Sequence, residues 1–93
     1  MEFEWDPAKA ASNRKKHGVS FEEAETVFGD PLALIFDDET HSYYEKRHGI
    51  VGRSFQDRLL IVSFTEREND IIRIISARVT TANERRPYAN RIG

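Results

Sequence analysis

The chain contains no cysteine. That excludes a disulfide framework and any thiolate metal site, so the hydrophobic core has to hold the fold unaided, as suits a reducing compartment. No apolar run approaches the roughly 20 residues needed to span a bilayer. The opening residues, Met1-Glu2-Phe3-Glu4-Trp5-Asp6, lack the basic and apolar regions of a signal peptide. A cytoplasmic protein that makes no membrane contact is therefore expected. The three histidines, His17, His41 and His48, are spaced in no compact ligand pattern, so neither a metal nor a cofactor is expected. No internal repeat, low-complexity stretch or linker divides the sequence.

What is present suits one globular unit. Apolar residues make up 39% of the 93, among them six Phe, three Tyr and one Trp. That is too much for a disordered tail, and the length allows one core but not two. Residues 1–93 are read as a single domain. The net charge of −2 hides an asymmetry, because residues 1–45 hold 4 basic and 11 acidic side chains and residues 46–93 hold 10 and 5. Nine of those ten C-terminal cations are arginines. Their planar forks suit phosphate or carboxylate. They could serve an anionic partner, or equally pair with the acidic half across the fold.

The local signals give the order of elements. Phe3-Glu4-Trp5 alternates as a short strand, and Asp6-Pro7 supplies an N-cap and a first-turn proline. A helix follows over 7–17, with Lys15, Lys16 and His17 in its last turn and Gly18 as its stop. Ser20-Phe21-Glu22-Glu23 has the form of a capping box, and Phe21, Ala24, Val27 and Phe28 recur at helical spacing. Residues 32–36 read as a strand. Residues 41–55 read as a weaker strand with a bulge or turn near Gly49 and Gly52. Residues 59–64 and 71–77 form an antiparallel hairpin around a polar turn. A short C-terminal helix is expected to be interrupted at Pro87.

Strict alternation puts Leu60, Val62 and Phe64 on one face of the hairpin, against Leu59, Ile61, Ser63, Thr65 and Arg67 on the other. In the last strand it puts Ile72, Ile74, Ser76 and Arg78 together, opposite Ile71, Arg73, Ile75 and Ala77. One face is then core beneath helices. The other turns polar, as a solvent-facing strand end or as a phosphate-binding groove. Trp5 and the Phe residues are read as core, base stacking being the other use of such rings.

Several stretches carry a resemblance. They are Phe3-Glu4-Trp5-Asp6, Asn13, Lys16-His17-Gly18-Val19-Ser20-Phe21-Glu22-Glu23-Ala24, Val27-Phe28, Asp30-Pro31, His41-Ser42, Glu45-x-Arg47, Arg58-Leu59-Leu60, Thr65-x-Arg67 and Arg73-Ile74-Ile75-Ser76-Ala77-Arg78. Over nearly its whole length the sequence resembles the BrnT family, the ribonuclease toxins of BrnT–BrnA toxin–antitoxin systems. The resemblance implies a RelE-like α+β fold, a single compact domain with an antiparallel sheet and N-terminal helices packed on one face. It also implies metal-independent endoribonuclease activity, and neutralisation by a BrnA-type antitoxin through which alone the pair would meet operator DNA. A non-catalytic module that binds antitoxin or nucleic acid is the alternative. Arg86-Pro87-Tyr88 departs from the pattern, since the family more usually continues a helix there.

Cleaving RNA without a metal requires the 2′-hydroxyl to lose a proton, the phosphorane to be stabilised and the 5′-oxygen to gain a proton. The catalytic candidates are Arg67 and Arg78 for the phosphate, Glu45 with Arg47 as a carboxylate beside a cation, and His41 for proton transfer. Each has an ordinary structural use as well: ion pairs for Arg67 and Arg78, a surface pair for Glu45 and Arg47, an exposed cap for His41. Thr65, Ser76, Lys16 and Arg85 are candidates for RNA contact, and Lys16 is equally explained by helix-terminus electrostatics.

Overall fold

The computed structural model describes residues 1–39 and 45–92. Its elements are β1 (Glu2–Glu4), α1 (Pro7–His17), α2 (Phe21–Thr26) with a 3₁₀ turn (Val27–Gly29), β2 (Leu34–Asp38), β3 (Arg47–Arg53), β4 (Leu59–Arg67), β5 (Ile71–Val79) and α3 (Ala82–Ile92). The strands make one sheet in the order β1-β5-β4-β3-β2. β2 to β5 are antiparallel neighbours, and β1 adds a parallel edge alongside β5. The fold is α+β, and its sheet is mixed through that one edge strand. No helix among the described residues is long and apolar enough to cross a membrane.

The caps of α1 form as the sequence indicates. Asp6 accepts from the Ala8 amide at 2.9 Å, and Gly18, at φ 68°, donates back to Arg14. In α2 only half of the capping box forms. The Ser20 hydroxyl accepts from the Glu23 amide, but the Glu23 carboxylate turns inward to Ser54 Oγ at 2.6 Å and Arg58 Nε at 2.9 Å. Arg58 also donates to the carbonyl of Gly18. One buried carboxylate thus ties α2 to the β3–β4 connection and to the end of α1. The guanidinium beside it holds Glu23 below the usual carboxylate range against the opposing effect of burial.

The helices cover one face of the sheet. Val19, Phe21, Ala24 and Val27 pack on Ile50, Leu60, Val62, Phe64, Ile72, Ile74 and Ala77. Phe28 wedges between Phe3 and Phe64, and Trp5 meets Phe21 edge-on. The Leu60, Val62, Phe64 stripe is therefore core, as its alternation indicated. Two of the six phenylalanines, Phe36 and Phe55, are exposed instead.

Strict alternation fails in β5. Ser63 pairs with Ser76, but the next residue, Phe64, pairs with Ile74, so Ile75 is an extra residue in a β-bulge. The bulge separates what alternation grouped: Ile72 and Ile74 join Ala77 on the covered face, while Ser76 and Arg78 lie on the other. The irregularity expected at Gly49 and Gly52 is absent, and β3 runs straight through both. Helix α3 also continues through Pro87, contrary to expectation. Proline there removes one backbone bond, to residue 83, and the loss is offset at both sides. Thr81 and Glu84 make a reciprocal cap, and the buried Tyr88 donates to Asp30 Oδ2 at 2.6 Å. Burial raises Tyr88 above the usual phenol range and Asp30 adds to it.

Removing Arg58 strands the Glu23 carboxylate in the core. Arg58→Ala is expected to lower stability by about 3–5 kcal/mol. Glu23→Gln should cost less, because Arg58 is partly exposed and can turn to solvent. Urea denaturation measures both, and a loss for Arg58→Ala no larger than for Glu23→Gln would contradict this account.

Candidate active site

The face that α1 and α2 leave uncovered is built in rows by the strand register, because directly opposed residues share a face. Leu34, Val51, Ile61 and Arg78 form one row; Phe36, Gly49, Ser63 and Ser76 form the next. A third row runs across all five strands as Asp38, Arg47, Thr65, Arg73 and Glu4. Within it Glu4 pairs with Arg73 at 2.7 Å. Helix α3 lies over one end of this face, with Glu84 and Pro87 beside Leu34, Val51 and Ile61.

Between the rows opens a pocket of about 340 Å³, lined by Phe36, Asp38, Arg47, Ile61, Ser63, Ser76 and Arg78. Three of the residues singled out from sequence, Arg47, Ser76 and Arg78, meet there. The bulge is the reason, since without it Ser76 and Arg78 would point into the core.

Arg78 is held in place by a carboxylate. Glu84 of α3 accepts two parallel bonds from its guanidinium, both 2.7 Å. With the longer contact to the Val79 carbonyl, three of the five N–H donors have partners among the described residues, which leaves two that could meet another anion. The paired bonds from Arg78 lower Glu84 to about 2, with burial opposing them and the Thr81 amide helping.

The other expected residues are placed differently. Glu45 lies in the bend before β3 rather than in the strand; its ion pair is with Arg67, at 3.3 Å and half-exposed. Thr65 is 1% exposed and its hydroxyl has no hydrogen-bond partner among the described residues. Lys16 is exposed on α1, across the sheet from the pocket, and Arg85 is exposed on α3. His41 lies outside the described residues.

Sequence reasoning passed over Phe36, Asp38 and Glu84. Asp38 lay beyond the strand read over 32–36, but β2 continues through it. Glu84 carried a visible signal, the Thr-x-x-Glu spacing from Thr81, which is that of a capping box.

A family model described as the ribonuclease toxin BrnT of type II toxin–antitoxin systems matches residues 5–84. The fold is similar to that of a 1.1 Å crystal structure of the Brucella abortus ribonuclease toxin BrnT, with a TM-score of 0.69 and 23% sequence identity, covering 87% of this chain and 97% of that one. A comparison with curated proteins returns no match.

Because Glu84 titrates lower in the folded chain than when unfolded, its pairing with Arg78 contributes fully above its ordinary value near 4.5 and is lost as the pH falls towards 2. Acid is therefore expected to loosen α3 from β5 across that window. Protection of the α3 amides, taken relative to their intrinsic exchange rate at each pH, should fall there in the wild type, whereas Glu84→Gln should show lower protection already at neutral pH and a flatter response to acid. An unchanged profile in the variant would show that the pair does not hold the helix.

Proposed function

Since the chain belongs to the family of BrnT ribonuclease toxins of type II toxin–antitoxin systems, we propose that it cuts RNA without a metal ion, by attack of the 2′-hydroxyl on the adjacent phosphate in the Arg47–Arg78 pocket. The pocket itself supports the reading. It gathers two guanidinium groups and two hydroxyls on one concave surface of the sheet. In this mechanism Arg78, oriented by Glu84, and Arg47 bind the scissile phosphate and stabilise the charge that grows on the phosphorane. A guanidinium is cationic throughout the physiological range. Ser63 and Ser76 contact phosphate or sugar oxygens. Asp38, in the pocket wall, takes the 2′-hydroxyl proton; the P–O5′ bond then breaks to leave a 2′,3′-cyclic phosphate, the departing 5′-oxygen takes a proton from water, and the Glu45–Arg67 pair borders the path of the RNA.

A type II toxin has a protein antitoxin as its partner. We take that partner to be BrnA-like, with contact to operator DNA only through it, and residues 1–93 to act as one toxin domain in the cytoplasm. The opposing reading, a face that binds RNA or antitoxin and cuts nothing, draws on the fact that Arg78 and Arg67 each already have a carboxylate partner.

The two readings separate on incubation of the purified protein with total RNA in EDTA. Wild type is expected to cleave. Arg47→Ala and Arg78→Ala should each slow cleavage by about 10²–10³-fold, the loss typical of one transition-state donor, with unchanged circular dichroism. Arg67→Ala, outside the pocket, should lose less than tenfold. RNA bound but uncut by folded wild type would favour the binding module.

A further inference from the structure

Phe36 sits in a β-strand yet is 43% exposed, which costs apolar burial unless something else uses the ring. Gly49 is directly opposite it in β3, and a Cβ at that glycine would run into the outer carbons of the ring. The glycine thus lets Phe36 lean over the neighbouring strand, where any other residue would push it off. The ring is also a partition. On one side it walls the pocket of Arg47, Arg78, Ser63 and Ser76. On the other it closes an apolar pocket of about 490 Å³ formed with Leu34, Val51, Ile61 and Pro87.

An exposed aromatic face beside guanidinium and hydroxyl groups matches the two halves of a nucleotide, because a flat base stacks on a ring while its phosphate seeks cations. At about 340 Å³ the polar pocket is at the small end of ligand sites, sized for one nucleotide and not for a duplex. A protein partner's apolar side chain would need only the apolar pocket and would leave the arginines unused. We propose that Phe36, held over Gly49, is the platform on which one unpaired base of the RNA substrate stacks while Arg78 holds the neighbouring phosphate, so that the substrate is single-stranded RNA. This rests on the RNA-cutting reading above and assigns a positioning residue to it. Stacking on a ring tolerates every base, so the platform favours unpaired RNA without selecting a sequence.

The test uses the full chain and a short single-stranded RNA made uncleavable by 2′-O-methyl groups, with a matching oligonucleotide whose central positions are abasic. In Phe36→Trp, indole fluorescence should be quenched by the base-bearing RNA and not by the abasic one; the wild type, whose only tryptophan is the core residue Trp5, serves as the background. Phe36→Ala should weaken the base-bearing RNA roughly 5- to 150-fold and leave abasic affinity unchanged. Phe36→Leu should lose as much as Phe36→Ala, since it restores bulk without a ring, and Gly49→Ala should reproduce the loss by displacing the ring. Equal effects on both oligonucleotides, absent quenching, or full rescue by leucine would overturn the platform while leaving cleavage by the wild type intact. If the folded wild type binds neither oligonucleotide, the RNA-cutting reading falls and the platform with it.

Discussion

An extra residue in β5, Ile75, lets Ile72 and Ile74 share the helix-covered face with Ala77 while Arg73, Ser76 and Arg78 share the open one. A strand has a side-chain period of two, so a slip of one residue turns every later side chain over. The bulge is thus what converts a sequence that would bury an arginine into a sheet with a continuous core on one side and a polar pocket on the other. Asn13 stabilises the strand just beyond it. Strand β1 pairs with β5 only as far as Arg73, and past that point the backbone of Ala77 has its N–H and C=O matched by the side-chain amide of Asn13, at 3.1 and 2.8 Å. The remaining N–H of that amide goes to Val19. One buried asparagine therefore stands in for a missing strand and links α1, the turn after it and the bulged strand.

Five of the nine arginines of the C-terminal half serve two uses. Arg58, Arg67 and Arg73 reach carboxylates of the N-terminal half, Glu23, Glu45 and Glu4, so part of the charge split is absorbed in fastening the halves of the sequence together. Only the Glu23 contact is buried, and only there is the removal of one partner costly. The half-exposed pairs at the rim are screened by solvent and contribute little to stability. Arg47 and Arg78 line the pocket. A count of charges could not separate these groups, because the distinction lies in which face and which row of the sheet each residue occupies.

What was legible in the sequence were features whose cause is local. Asp6-Pro7 and Gly18 mark the ends of α1 because a cap is a contact between near neighbours. The core stripe of β4 was legible because its alternation is unbroken. The bulge was not: nothing in Ile74-Ile75-Ser76 distinguishes one extra residue from none, and the choice is made by the partner strand and by Asn13, more than sixty residues earlier. Gly49 misled for the same reason. Read locally it signals a bulge or turn, whereas in the folded chain it makes room for a ring on the adjacent strand. Pro87 removes one hydrogen bond from α3, and the helix continues because Glu84 and Tyr88, on either side of it, are fastened to β5 and to Asp30.

Those attachments bear on how the pocket is prepared. Glu84 approaches Arg78 with the two-oxygen geometry that a phosphate would use, so the guanidinium is oriented before any RNA arrives. A long side chain loses rotamer freedom when it is fixed, and here that loss is borne by folding rather than by binding. The arrangement also explains why the helix belongs to the pocket although little of it lines the pocket wall. Its carboxylate sets the direction of Arg78, its tyrosine is anchored on Asp30, and Asp30 in turn accepts from the backbone amide at the end of β3. Burial pushes Asp30 up, but the Tyr88 hydroxyl and the Arg53 and Leu32 amides together hold it below the usual carboxylate range. Asp30 and Glu84 therefore fasten the same helix from its two sides, Glu84 through Arg78 and Asp30 through Tyr88.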